Sequence, residues 1–372
     1  MKKILIICLT LVLLTGCTTG AKDTYTKYES RSSEVGFDTL VTFLAYTKTE
    51  KEFDAYFETV KQEFIHYNSL FDRYNDYEGI NNIKTINDQA GIAPVKVDPE
   101  IIEMIEIAKE YSELSNGYFD ITLGAVLDIW HEYREEGIVL NSEDEYGKVP
   151  TMDMLKEAEQ YTGWQFVEID KEASTVYLNH TRAKLDVGAI AKGYATEKVA
   201  LRLEKDGIEY AVVSGGGNVR TINTKADGTP WAIGVEKPSL IVKGESLDIF
   251  SIPTSTSIVT SGDYQRYYIG PDDVRYSHLI DPHTLMPATN FQSVTIITPD
   301  SGAADALSTA VYMMSYDEAQ EFIKKFNDAH PDQKIDAVWV LEGDEPKDWQ
   351  HVDGFSLTMT ETLKQYSKLN KQ

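Results

Sequence analysis

The stretch Lys184-Leu-Asp-Val-Gly-Ala-Ile-Ala-Lys-Gly-Tyr-Ala195 decides how this chain is read. A strand ends at Asp186, a loop of small residues turns, and a helix begins near Lys192 and runs to Lys205. Strand, tight loop and helix in so short a run require a fold that mixes both element types. Small residues let a ligand approach the backbone, a helix N-terminus offers unpaired N–H groups, and Lys192 adds a point charge. In outline that is a phosphate cradle, although it is neither Walker A nor G-x-G-x-x-G. From these residues alone, a plain strand–helix connection reads equally well.

Outward from this stretch, residues 40–46 (Leu-Val-Thr-Phe-Leu-Ala-Tyr) read as a first strand. Lys51–Tyr67 follows as an amphipathic helix, with Phe53, Tyr56, Phe57, Val60, Phe64 and Tyr67 at three-and-four spacing. A second helix runs from Pro99 to Ser115, with Ile101, Ile102, Ile105, Ala108 and Leu114 inward, and Asn116-Gly117 stops it. Residues 118–135 read as a helix carrying Trp130, the acidic 141–147 as an exposed loop, and 152–161 as a helix. Strands are expected at 166–169, 175–178, 210–214, 231–236, 246–252, 255–261, 293–298 and 335–341, with a helix at 303–314. Strand runs with antiparallel neighbours among long helices give an α+β fold of mixed, largely antiparallel sheets. There is no internal repeat and no low-complexity segment.

The ends carry an address. Lys2 and Lys3 precede an apolar run from Ile4 to Leu14, too short to cross ~30 Å of hydrocarbon as a helix and therefore a signal-peptide core. It closes in Leu14-Thr15-Gly16-Cys17, which resembles the bacterial lipobox; a diacylated Cys17 anchors a chain stably. The organisation expected is residues 1–16 as signal peptide, 17–33 as acylated cysteine and polar tether, and 34–365 as the folded domain, held at the extracytoplasmic face of the cell membrane. Cys8, the only other cysteine, lies in the removed segment. The mature chain thus has no thiol nucleophile, thiolate zinc site or disulfide.

The chain carries 60 acidic and 35 basic residues, a formal charge of −25 that becomes −27 once residues 1–16 leave. That excludes nucleic acid as a partner and excludes charge-driven binding to anionic lipid. It does not exclude an anionic ligand, because a metal ion and local backbone N–H groups can hold phosphate inside a negative protein.

Three further segments carry chemistry. Ser214-Gly-Gly-Gly-Asn218 follows a strand directly, and its glycines bare the backbone where a ligand or a plain loop fits. His278-Leu-Ile-Asp-Pro-His283 suits a general base with an orienting carboxylate, a transition-metal site on His278, Asp281 and His283, or an exposed loop. Ala303-Ala-Asp-Ala-Leu-Ser-Thr-Ala310, as a helix, puts Asp305 and Thr309 on one face with Ser308 beside them. A carboxylate and hydroxyls among alanines suit a hard cation such as Mg²⁺, or else a capped surface helix.

Taken together, these segments resemble the FAD:protein FMN transferase (ApbE) family. The matching stretches run in order: Gly36-Phe-Asp-Thr-Leu, Phe71-Asp-Arg-Tyr-Asn, Gly117-Tyr-Phe-Asp-Ile-Thr, Asp186-Val-Gly-Ala-Ile-Ala-Lys-Gly, Ser214-Gly-Gly-Gly-Asn, Thr260-Ser-Gly-Asp-Tyr, His278-Leu-Ile-Asp-Pro and Ala304-Asp-Ala-Leu-Ser-Thr-Ala. They cover roughly residues 34–365. The resemblance implies an FAD cleft between subdomains. It places Phe37 (on the first strand), Tyr74, Tyr118, Phe119, Asp120, Asp186, Lys192 and Leu279 against FAD. It makes Asp305, Thr309, Ser308 and the Ala189 carbonyl the Mg²⁺ ligands, and His278 the catalytic histidine. Two positions depart from the family pattern: Asp38 stands where a glycine is usual, and Thr284-Leu285 where a Thr-Gly turn is usual.

The activity so implied moves the FMN half of FAD onto a Thr or Ser hydroxyl of an acceptor flavoprotein and releases AMP. His278, with a pKa near neutrality, takes the hydroxyl proton. The competing readings are an FAD pyrophosphatase, with water in place of the hydroxyl, and a non-catalytic flavin-binding lipoprotein.

Overall fold

The computed structural model describes residues 24–239 and 244–371. The signal segment and lipobox Cys17 lie outside the described residues. The N-terminal half holds strands β1 Thr26–Ser32 and β2 Val41–Thr47, helices α1 Glu50–Phe71 and α2 Ile83–Asp88, and strand β3 Val95–Lys96. It continues through α3 Pro99–Leu114, α4 Gly124–Ser142, α5 Met152–Glu159, β4 Val167–Asp170 and β5 Thr175–Leu178. Next come α6 Ala191–Lys205, β6 Ala211–Gly215, β7 Asn218–Ile222, β8 Trp231–Glu236, β9 Ser246–Ile252 and β10 Thr256–Gly262. The remainder is β11 Tyr267–Ile269, β12 Arg275–Ser277, β13 Ser293–Thr298, α7 Ser301–Met313, α8 Tyr316–Ala329, β14 Asp336–Glu342, β15 Gln350–Val352 and β16 Phe355–Met359.

Nine strands form one antiparallel sheet in the order β1-β2-β6-β7-β10-β13-β14-β16-β15. Alternation in β2 turns Val41, Phe43 and Ala45 onto one face, where α1, α6 and α7 cover them with a single apolar core. The opposite face, with Ile258, Val338, Val340 and Leu357, packs under the β8–β9 hairpin through Val235, Phe250 and Ile252. β13 is buried along its whole length because both faces are covered. A third cluster joins Val126 and Trp130 of α4, Leu155 of α5, Tyr268, Ile280 and Leu285. The fold is therefore α+β, as expected.

Helix caps explain the starts. Thr49 accepts from Glu52 N–H at the head of α1, and Asp300 accepts from Ala303 N–H at 2.7 Å at the head of α7.

Five expectations are corrected. The segment expected as tether contains β1, which pairs residue by residue with β2. Lys27, Glu29 and Arg31 point outward, and Tyr28, the one apolar ring on the inward face with Ser30 and Ser32, lies 5.5 Å from the Phe53 ring. A charged edge strand has almost no apolar alternation, so composition conceals it. Phe37 is not on a strand: it sits in the turn between β1 and β2 at φ 57, beside Asp38 at φ 47. Residues 118–123 are a loop, and α4 begins only at Gly124. Before Asp186 there is no strand beyond one bridge, Lys184 to Leu123. At the far end the fold runs past residue 365, since Ser251 N–H donates to the Tyr366 carbonyl and Lys368 N–H to the Ile249 carbonyl. Among the described residues, no helix is long and apolar enough to cross a membrane.

Candidate active site

A cavity of about 860 Å³ opens between the helical core, the glycine loop and the third cluster. Every chemically loaded segment of the sequence contributes to its wall. That volume falls within the range of clefts that hold small-molecule ligands and cofactors.

One wall is the head of α6. Its N-cap residue, Ile190, offers no side-chain hydrogen bond to the first turn, so the N-terminal amides are left to other partners. One of them is taken: Gly193 N–H donates to Asp305 Oδ2 at 2.8 Å. Only a glycine permits this approach of α6 to α7, because a Cβ at 193 would lie 2.3 Å from the Ser301 carbonyl oxygen and 2.5 Å from Asp305 Cβ. Buried Glu197 fastens the same helices one turn on, accepting from Ser301 N–H at 2.8 Å and from Arg220 Nε at 3.0 Å. Lys192 Nζ stands 3.6 Å from Asp305 Oδ2. Ala189, Lys192, Asp305 and Thr309 all line the cavity.

Ser308 does not. It is fully buried, donates to the Asp305 carbonyl at 2.9 Å and faces Ser261 of β10, which corrects its expected place among the ligands. Three positions from Asp305, Ser308 falls on the opposite flank of that face from Thr309, where β10 covers it.

A second wall is the chain leaving α1. Arg73, nearly buried, bridges Asp186 and Asp128, and Lys184 also reaches Asp128. Burial pushes the Asp186 carboxyl upward, but the Arg73 charge and the Gly188 N–H at 2.9 Å outweigh it and hold the group below the usual carboxylate range. Asp186 thus lines the cavity with both oxygens already engaged. Tyr74 presents an exposed ring, 5.3 Å from the His131 ring. Phe37 also lines the cavity, its N–H held by Asn68 Oδ1 at 2.6 Å.

The third wall includes Tyr118, Phe119 and Asp120. The Tyr118 ring lies 4.5 Å from the His283 ring, Phe119 is 1% exposed, and burial raises the Asp120 pKa while Thr122 hydrogen-bonds the carboxylate.

His278 and Leu279 complete the site. The backbone N–H of His278 donates to the Arg266 carbonyl at 3.0 Å, and its Nδ1 lies 3.2 Å from the same oxygen. A carbonyl only accepts, so Nδ1 carries the proton and Nε2 keeps its lone pair. Burial, with Arg266, Arg134 and Lys192 facing the ring, lowers its pKa to about 3. The near-neutral value expected from sequence is corrected: desolvation and three cations both oppose a further charge. Asp281 is not the orienting carboxylate. Its oxygens accept from His283 N–H at 2.8 Å and Thr284 Oγ1 at 3.0 Å in its own turn. Nor does a transition-metal site form there, because no three His, Cys, Asp or Glu side chains converge on one point among the described residues.

The departures from the family pattern are resolved locally. Leu285 adopts φ 62, a left-handed conformation natural to glycine. It is held there by burial in the third cluster and by Trp130 Nε1, which donates to its carbonyl at 2.9 Å. Asp38 is likewise left-handed and lines the cavity.

Arg73, Asp128, His131, Arg134 and Arg266 were not singled out as site residues from sequence. Arg73 sat within a matching stretch, but charges on α4 and in the loop before β11 carry no local signal, and only the fold turns them inward.

A cation-lined cleft with a tautomer-fixed histidine, set against an antiparallel sheet, marks a protein that handles a large anionic ligand. The chain belongs to the ApbE family, whose pattern matches residues 37–332. It is 32% identical over 280 residues to the FAD:protein FMN transferase of Treponema pallidum, covering 70% of each chain. It is 31% identical to that of Vibrio cholerae over 244 residues, covering 65% of this chain and 69% of the relative. The crystal structure of the ApbE protein from Thermotoga maritima superposes with a TM-score of 0.70 at 30% identity, covering 92% of this chain and 99% of that one.

Proposed function

We propose that the protein is an FAD:protein FMN transferase, held by lipid at Cys17 on the outer face of the cell membrane. It would move FMN from FAD to a Thr or Ser hydroxyl of an acceptor flavoprotein. The observation that carries this reading is His278: a neutral imidazole with Nδ1 committed to the Arg266 carbonyl, in the same cavity as Asp305 and Thr309.

The oxygen donors at the α6–α7 junction fit Mg²⁺. Asp305 supplies charge, Thr309 a hydroxyl, and Ala189 a backbone carbonyl; Asp305 spends only Oδ2 on the Gly193 amide among the described residues. Bound Mg²⁺ supplies positive charge against the phosphate oxygens as negative charge builds there.

The chain's own residues do the rest. Tyr74, Phe37 and Leu279 offer apolar surface to the flavin. Lys192, Arg134 and Arg266 add cationic charge for the diphosphate. His278 Nε2 takes the acceptor hydroxyl proton as that oxygen bonds to the FMN phosphorus. The phosphoanhydride bond breaks, and AMP leaves with the bonding electron pair. A binder that merely stores flavin needs no such base.

Incubation with FAD, Mg²⁺ and a co-expressed acceptor tests the reading. Covalent flavin on the acceptor together with AMP supports it. Free FMN and AMP alone point to pyrophosphatase action, and intact FAD that binds without turnover points to a flavin-binding protein.

A further inference from the structure

Beside the proposed cation ligands runs a line of hydroxyls, Ser261 at the cavity wall and Ser308 buried behind it, and a single proton order satisfies all of its contacts. Ser308 Oγ is 2.9 Å from the Asp305 carbonyl oxygen, so its single proton is spent there. Ser261 Oγ lies 2.8 Å from Ser308 Oγ. With the Ser308 proton committed, Ser261 is the donor of that bond. Ser261 Oγ also lies 3.4 Å from Thr309 Oγ1, and with its own proton gone it can only accept from Thr309.

The order therefore runs Thr309 to Ser261 to Ser308 to the Asp305 carbonyl. Its far end is locked, because Ser308 is fully buried. The neighbouring Thr260 hydroxyl is paired with Thr295 at 2.8 Å and does not compete. The consequence falls on Thr309. Its proton turns toward β10, and its lone pairs remain for the cavity. A hydroxyl that ligates a cation must offer a lone pair and keep its proton away, and a freely rotating one would have to be ordered on binding.

We propose that Ser261 is a positioning residue for the cation site, orienting the Thr309 hydroxyl, with Ser308 as its anchor. The inference rests on the Mg²⁺ reading above. It assigns to the Thr260-Ser-Gly-Asp-Tyr264 segment a task that contact with the flavin would not require.

The test measures cation binding without turnover: Mn²⁺ titration of the purified protein, read by the electron paramagnetic resonance of free Mn²⁺, with FAD absent. Thr309→Val sets the benchmark by removing the ligand. Ser261→Ala is expected to weaken Mn²⁺ binding by about 10-fold, the lower end of what outer-shell partners of metal ligands contribute, with an unchanged thermal midpoint. Ser308→Ala, which removes the anchor without touching the cavity, carries the same expectation and decides the matter if Ser261→Ala does not fold. Wild-type affinity in these serine variants, with Thr309→Val weakened, overturns the proposal and leaves the cation site standing. Wild-type affinity in Thr309→Val itself removes the cation site, and the proposal with it.

Discussion

The carbonyl oxygen of Arg266 receives both the backbone N–H of His278, at 3.0 Å, and its ring Nδ1, at 3.2 Å. One acceptor thus fixes both the loop and the tautomer of His278, the residue proposed as base. This arrangement replaces the carboxylate that usually orients a catalytic histidine.

Its pH consequence is specific. With the His278 pKa lowered to about 3, the basic form is fully present from about pH 5 upward. The rate constant kcat/KM, which reports the free enzyme, should show no step from this group between about pH 5 and 8. Folding carries the opposite trace. The unfolded chain's histidine, near 6.5, takes up a proton that the folded one refuses, so stability should fall as pH drops from about 6.5 toward 3. His278→Gln should lose that acid sensitivity. A kcat/KM step near pH 6.5 that vanishes in the variant would contradict the depressed value.

Asp305→Asn and Gly193→Ala should fail in different ways. The asparagine keeps an oxygen for the Gly193 N–H but loses the charge, so flavin transfer should fall by about 10²-fold or more with little change in thermal midpoint. The alanine drives a Cβ into the Ser301 carbonyl and Asp305 Cβ. It should cost about 1–3 kcal/mol of stability as well as activity. Calorimetry beside a rate assay separates the two, and full activity of Asp305→Asn in excess EDTA would remove the metal assignment.

Arg73→Met should leave Asp186, partly buried in the cavity wall, without its cation and destabilise the fold by about 1–3 kcal/mol. In the native protein the depressed Asp186 pKa adds stability above the unfolded carboxylate value of about 3.9, and that stability is lost as pH falls below it. The variant should reverse the sign and be least destabilised in acid. Urea titrations at pH 4 and pH 7 read the difference.

Cys17→Ala should release the protein from membranes while leaving the chemistry of the folded part intact. Intact-mass spectrometry checks the anchor: acyl chains on an amino-terminal Cys17 are expected. An unmodified amino terminus elsewhere would contradict lipid anchoring.

Much of this was legible in the sequence, where local pattern and local physics agree. The apolar spacing of Phe53, Val60, Phe64 and Tyr67 gives α1, and the four-residue interval from Asp305 to Thr309 gives a shared face on α7. What escaped depends on partners distant in sequence. β1 is a strand because β2 pairs with it, not because of its own alternation. Arg73 reaches the site because Asp128 and Asp186 draw it there from 55 and 113 residues away. Ser308 reads as a ligand beside Thr309 until β10 supplies Ser261 on its other side. The His278 pKa reads as neutral until Arg266, Arg134 and Lys192 are seen around the ring.

The most direct measurement of the central claim is covalent flavin on an acceptor. The protein is incubated with FAD, Mg²⁺ and co-expressed candidate acceptors, the products are run on a denaturing gel under ultraviolet light, and AMP is quantified alongside. Wild type should yield a fluorescent acceptor with one AMP per flavin attached. His278→Ala should bind FAD as the wild type does yet lose transfer by roughly 10²–10⁴-fold, the usual range for a general base. FAD left intact by the wild type, FMN and AMP released with no fluorescent acceptor, or undiminished transfer by His278→Ala would each contradict the account.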